Sequence, residues 1–386
     1  MNQPLLACFS VGIAAAIGLG LGRFAYALLV APMRVDLALT FFEAGALNSA
    51  NASGHLAGAL AALALLRAIG EYHAVIWGSL ATGIAMGLTA QLNALPELLA
   101  LRFVVGATGA IVFVAGGTLV ARAAGSLGRQ AALGVNLFYV GPGIGIALSA
   151  IVLGPFGPDL DWRTGWWLLA ITAGLLWIPV IWGSSALRGI TDADQCQVVD
   201  PTNRPLWRPL LGYGFFAAGY VGYATFIVAT VQSHTATEHP ALIGWGALGC
   251  AAIVGCFVWA RPIGRARTGT TLAWLILLTG IAAGLPLLGH HPWLVTISFL
   301  LFGFVFLNVV AATTSLVRAS RGAAEWGRWI GLFTIAFGIG QMLGPVLSGA
   351  AVDRFGPNAV LWVSGGLLLA GAAVTFSSTM LHPRRG

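Results

Sequence analysis

Residues 16–33 read AIGLGLGRFAYALLVAPM. Every side chain in this stretch is uncharged except Arg23, and the run it interrupts is apolar enough to be one membrane crossing. An arginine at the centre of a span costs ~2.5–3.5 kcal/mol on insertion scales, so it is expected to face the interior of a helix bundle rather than lipid. What Arg23 faces there is the question this chain poses.

The flanking sequence has the same character. Of 386 residues, 58% are apolar and 8% charged, with a mean hydropathy of +0.88. That composition belongs to a polytopic membrane protein. A hydrocarbon core ~30 Å thick takes about 20 apolar residues per helix. Apolar runs between charged or Pro/Gly-marked loops place helices at 5–31, 43–66, 73–92, 97–121, 131–154 and 164–184. A polar stretch, RGITDADQCQVVDPTNRPLWR (188–208), precedes six more at 209–232, 240–260, 269–289, 293–317, 327–351 and 358–380. The expected fold is an all-α membrane protein of twelve transmembrane helices. Residues 1–187 form a first six-helix bundle, 188–208 a cytoplasmic linker and 209–386 a second bundle. The first thirty residues lack a basic n-region and a small-residue cleavage signal, so helix 1 is read as retained.

All 19 basic residues are arginines. With a cytoplasmic N-terminus, fourteen lie in inner loops and only Arg34, Arg163 and Arg354 in outer ones. Such a bias places both termini inside, while the absence of lysine beside heavy Ala and Gly use points to a GC-rich bacterial genome, so the expected location is a bacterial inner membrane. The bias also accounts for the net charge of +7 without nucleic acid as a partner. Cys8, Cys250 and Cys256 lie in spans and Cys196 in the linker, so neither a disulfide framework nor metal-ligand spacing is expected. No catalytic residue, cofactor or metal is assigned.

The two halves repeat one another. Gly22 matches Gly222 at an offset of 200, Arg67 and Gly70 match Arg261 and Gly264 at 194, Gly106 matches Gly303 at 197, and Ser149 matches Ser348 at 199. Two similar units with an even number of helices enter the membrane in the same direction, which makes the repeat parallel, with a cavity between the bundles. A cavity between two rocking bundles suits alternating access.

This 6+6 plan resembles the major facilitator superfamily, and RFVVGATGA (102–110) resembles its helix 4 motif. GRFAYALLVAPM (22–33) together with NASGHLAG (51–58) is similar to the YbfB/YjiJ branch. The resemblance covers essentially the whole chain and implies a transporter, not an enzyme. Two features depart from the family pattern. Leu66 and Ala260 stand before Arg67 and Arg261 where the family carries an Asp, so its gating salt bridge is not carried over. GPGIG (141–145) is similar to an antiporter Gly-Pro motif but differs in its flanking glycine spacing.

Polar residues at membrane depth supply the candidate site. Arg23 is read either as a cation that binds an anionic substrate group or as a structural group held by backbone carbonyls or Glu43. Tyr26 shares a face with Arg23 at helical spacing, to stack on substrate or to hold the guanidinium. Arg102 sits about one turn into helix 4, where it can snorkel outward; it is read either as acting in substrate binding or proton coupling, by resemblance to the helix 4 motif, or as a structural group. Asn51, Asn136, Asn308 and Gln341 are either interhelical glue or cavity lining, and Tyr223 beside Gly222 completes the substrate-binding candidates. Glu43 and His55 are the proton-coupling candidates, with a neutral packing role as the alternative for His55.

With no deeply buried acid to match Arg23 and Arg102, the charge balance favours an organic anion as the small-molecule substrate. The expected protein is a monomeric secondary transporter, with protons as the candidate coupling ion. Efflux of neutral or cationic drugs is the alternative within this class. A membrane-embedded transferase or a non-transporting sensor is the alternative outside it, though the spans offer no converging nucleophiles, bases or metal ligands.

Overall fold

The computed structural model describes residues 3–189, 205–233, 239–266, 269–289 and 291–380. Most of the expected linker, 190–204, lies outside the described residues. No strand occurs among them, and eleven helices are long and apolar enough to cross a membrane. The first crossing is α1 (Gln3–Ala15), a π-helical segment (Ala16–Phe24) and α2 (Tyr26–Asp36). It is followed by α3 (Phe41–Thr89), α4 (Leu95–Ser126), the paired α5 (Ala131–Tyr139) and α6 (Gly141–Leu153), and α7 (Trp162–Leu187). The second half comprises α8 (Trp207–Gln232), α9 (His239–Arg265), α10 (Thr270–Gly284), α11 (Pro292–Ser320), α12 (Ala323–Phe355) and α13 (Ala359–Met380).

The 49 residues of α3 correct one sequence expectation. A loop was expected between helices 2 and 3, around 67–72. Instead a single residue turns the chain, because Gly70 adopts φ 76°, ψ 160°, a region essentially restricted to glycine. A straight α3 would be about 74 Å long at 1.5 Å per residue, more than twice a hydrocarbon core. The break divides it into arms of 41–69 and 71–89, and counting the arms gives twelve among the described residues.

Small residues set the packing within each half, and the same contacts occur twice. A Cβ on Gly54 would lie 1.9 Å from the Phe103 carbonyl oxygen, joining α3 to α4, and one on Gly255 would lie 2.2 Å from that of Phe304, joining α9 to α11. Gly145 meets the Ala16 carbonyl, and Gly344 that of Ala218, in the same way. Backbones this close exclude any side chain, which is how glycine fixes helix pairs in lipid. The repeat in sequence is therefore a repeat of contacts.

The two halves meet tightly toward the end remote from residue 3. There α3 crosses α12, with Gly45 against the Pro345 carbonyl and Gly349 against that of Phe41. Ser49 donates to the Met342 carbonyl at 2.6 Å. On the other flank α6 crosses α9, where Gly249 lies against Ala147 and Trp245 Nε1 donates to Ser149 at 3.3 Å.

Candidate functional site

The opening stretch is the distorted part of the first crossing. Residues 16–24 form a π-helix, and Ala25 N–H closes it on the Gly20 carbonyl at 3.0 Å. Such widened turns cluster at functional sites. The glycines make the distortion tolerable and let α4 and α6 approach, since Gly18 lies against Gly109 and Gly20 against Gly145.

Arg23 closes this segment at only 4% exposure. Its Nε and Nη2 are buried and have no hydrogen-bond partner, and no ion pair involving it occurs among the described residues. The buried charged side chains of the described residues are Arg23 and Arg102, with no carboxylate. His55 is half-buried on α3 with its Nδ1 unpartnered.

Next to Arg23 in the chain, Phe24 meets aromatic rings of the second half. The Phe24 ring meets Phe306 of α11 edge-on at 5.7 Å, and Phe306 lies 6.0 Å from Tyr220. Tyr220 stacks on Phe337 of α12 at 5.8 Å and on Phe216 at 4.9 Å, and Tyr213 stacks on Phe337 at 4.8 Å. Gln341 donates through Nε2 to the Tyr220 hydroxyl, which leaves its Oε1 buried and unpartnered.

The other candidate residues are placed elsewhere. Arg102 does not snorkel: it is fully buried, donates from Nη1 to the Gly22 carbonyl at 2.8 Å, and lies over the rings of Tyr26 (4.7 Å) and Trp166 (5.3 Å). Tyr26 holds Arg102 rather than Arg23, and its hydroxyl donates to the Ala44 carbonyl at 2.8 Å. Asn51 donates to the Arg102 carbonyl at 3.2 Å. Nearby, Asn48 reaches across the halves to Thr225 at 2.6 Å. These groups form a second polar cluster in the first half, tied to the π segment through one carbonyl. In the second half Tyr223 bonds Ser298 at 2.6 Å and stacks on Phe302 at 4.2 Å, while Asn308 donates to Phe304 of its own helix at 3.2 Å. Asn136 is half-buried on α5.

Glu43 corrects another expectation, because it is not a partner of Arg23. Its Oε2 accepts from Thr40 N at 2.8 Å and Thr40 Oγ1 at 2.9 Å, while Glu43 N donates to Thr40 Oγ1 at 3.1 Å. That is a capping box at the start of α3. The two remaining free donors of this helix end, Phe41 N and Phe42 N, are taken by Asp353 of α12 at 2.9 and 2.8 Å. Asp353 stands in the last turn of its own helix, where the macrodipole disfavours an acid. Its role is to complete the cap of a helix in the other half.

Sequence reasoning missed Asp353 and the aromatic strip. The signal for the strip was spacing: Tyr213, Phe216 and Tyr220 fall at i, i+3 and i+7, and Phe333 and Phe337 at i and i+4. The signal for Asp353 was an acid at the wrong end of an apolar helix. A separate recess of about 560 Å³ lies beside the Gly70 break, where Glu71 pairs with Arg122 at 2.9 Å. It contains none of the candidate residues.

A family profile described as the uncharacterised MFS-type transporter YbfB matches residues 15–376. The chain belongs to this transporter family. Among relatives of this YbfB-type chain, a chloramphenicol resistance protein of Streptomyces lividans is 27% identical over 377 residues, covering 94% of this chain and 93% of the relative. The efflux pump patC of Aspergillus clavatus is 30% identical over 141 residues, covering 34% of this chain. The chain spans about a quarter (25%) of the length of that pump and of the MFS-type transporter patC of Penicillium expansum. In three dimensions it is similar to the nucleoside transporter NupG (D323A mutant), with a TM-score of 0.70 at 14% identity, covering 96% of this chain and 99% of that one. The human organic anion transporter MFSD10 gives 0.62 at 14% identity, over 97% and 99% of the two chains. These likenesses establish the fold. A YbfB-type chain is a multi-pass membrane transporter and not an enzyme.

Proposed function

We propose that this protein is a secondary active carrier of a small organic anion. It works as a monomer in a bacterial inner membrane with both termini cytoplasmic, and the halves 1–187 and 209–386 rock about the site through the 188–208 linker. The observation that carries the reading is Arg23, a buried guanidinium whose Nε and Nη2 have no acceptor. Leaving buried donors unpaired costs about 1–3 kcal/mol each, more when they are charged. A carboxylate from the substrate removes that cost with a bidentate pair, so the site is built for a partner the chain does not supply. His55, with its buried Nδ1 unpartnered, is the proposed proton-coupling group, since Glu43 is committed to its cap.

The test is flux and binding of carboxylates in proteoliposomes for wild type, Arg23→Lys and Arg23→Gln. Arg23→Lys keeps the charge but loses the planar fork and retains part of the affinity. Arg23→Gln abolishes it at an unchanged melting temperature. Undiminished uptake by Arg23→Gln would overturn the proposal.

A second reading, export of neutral aromatic drugs, draws on the chloramphenicol resistance relative and on the aromatic strip. It requires flux of a neutral aromatic that is indifferent to Arg23→Gln.

A further inference from the structure

The geometry points to a planar aromatic carboxylate with a hydroxyl at its far end as the substrate class. This inference rests on the anion reading of Arg23 and narrows it. Three features of the junction converge on it. At one end stands Arg23, 4% exposed, with Nε and Nη2 unpartnered. At the other stands Gln341, 1% exposed, with one amide heteroatom bonded to Tyr220 and the other unpartnered. Between them runs a strip of rings in which Phe24, Phe306, Tyr220 and Phe337 succeed one another at 5.7, 6.0 and 5.8 Å.

Each feature constrains the ligand separately. Arg23 selects a carboxylate or a similar planar anion, which its fork binds at two points. The strip selects a ring, because aromatic neighbours offer faces and edges that reward offset stacking or edge-on contact beyond area burial. Gln341 selects a polar group at the far end. A hydroxyl serves either orientation of that amide, donating to an unpartnered Oε1 or accepting from an unpartnered Nε2. Arg23 adjoins Phe24, Gln341 adjoins Tyr220, and Phe306 meets both of those rings, so the aromatic strip links the two polar ends.

The experiment measures binding to the purified full chain in nanodiscs by calorimetry. The probes are 4-hydroxybenzoate, benzoate, cyclohexanecarboxylate and the uncharged 4-hydroxybenzyl alcohol. Expected is an order of affinity of 4-hydroxybenzoate over benzoate over cyclohexanecarboxylate, with the second step roughly 2–10-fold, the worth of about one aromatic pair. Gln341→Leu lowers the ratio of 4-hydroxybenzoate to benzoate affinity toward one, and an unchanged ratio would overturn the hydroxyl end of the inference. Equal binding of benzoate and cyclohexanecarboxylate would overturn the aromatic inference and leave the anion reading standing. Binding of the alcohol as tightly as the acids, or acids bound unchanged by Arg23→Gln, would sink the anion reading and this inference with it. If Gln341→Leu does not fold, the probe series on the wild-type chain still decides the aromatic question.

Discussion

Asp353 makes the two halves share one helix cap, and its removal is expected to loosen the end of the molecule remote from residue 3. The side chain accepts Phe41 N at 2.9 Å and Phe42 N at 2.8 Å from across the interface, at an exposed position. Losing an N-terminal cap acceptor costs roughly 0.5–2 kcal/mol. A carboxylate at a positive helix end contributes about 0.3–1 kcal/mol more at exposed sites. The freed N–H groups then turn to water, which recovers part of this, so Asp353→Ala is expected to weaken the closed junction by about 1–2 kcal/mol, a shift of roughly 5–30-fold in population. Asp353→Asn keeps an acceptor without the charge and should fall between. The assay is a spin-label distance distribution between cysteines at Val35 and Phe355, each 73% exposed, in a background without the native cysteines. A new long-distance population in Asp353→Ala, smaller in Asp353→Asn, is expected. Identical distributions in all three proteins would refute the reasoning, because the glycine crossings alone would then hold this end closed.

At Gly70, alanine meets no atom within 4 Å, so any loss in Gly70→Ala reports backbone strain alone. About 1–3 kcal/mol is expected, read as a lowered melting temperature, and an unchanged one would mean the α3 break relaxes freely. Arg102→Met removes a charged hydrogen bond worth roughly 1.5–3 kcal/mol and ring contacts worth about 0.5–2 kcal/mol. It should depress thermal stability strongly while Arg23→Gln does not, and equal effects would erase the distinction between the two arginines. Because Glu43 caps α3 and has no contact with Arg23, Glu43→Gln and Arg23→Ala should add within ~0.5 kcal/mol in a double-mutant cycle, whereas rescue would show coupling. Reporters fused after Ser126 and after Leu92 should report cytoplasm and periplasm respectively, and the reverse would invert the proposed orientation.

Much of the architecture was legible because it depends on local quantities. Apolar run length marks each span, and a near-constant offset of 194–200 between landmarks reveals the repeat. The structure returns that repeat as the paired contacts of Gly54 with Phe103 and Gly255 with Phe304. Arg23 was also legible, as a charge with no reason to be there. The loop expected around 67–72 was misread because one glycine at φ 76° does the work of several residues, and no window of hydropathy resolves a single dihedral.

The partners of the polar residues were decided by tertiary structure alone. Tyr26 shares a helical face with Arg23, yet the π segment changes the helical phase between Ala16 and Phe24, and its ring lies on Arg102 instead. Glu43 could reach several groups in principle, and Thr40, three residues away, satisfies it locally. The aromatic strip is drawn from α8, α11 and α12, and Asp353 acts on a helix more than three hundred residues earlier in the chain. Hydrophobicity and spacing show that a helix crosses the membrane and which of its side chains share a face. They carry no information on its rotation and register against its neighbours, which the glycine crossings set and on which every one of these pairings depends.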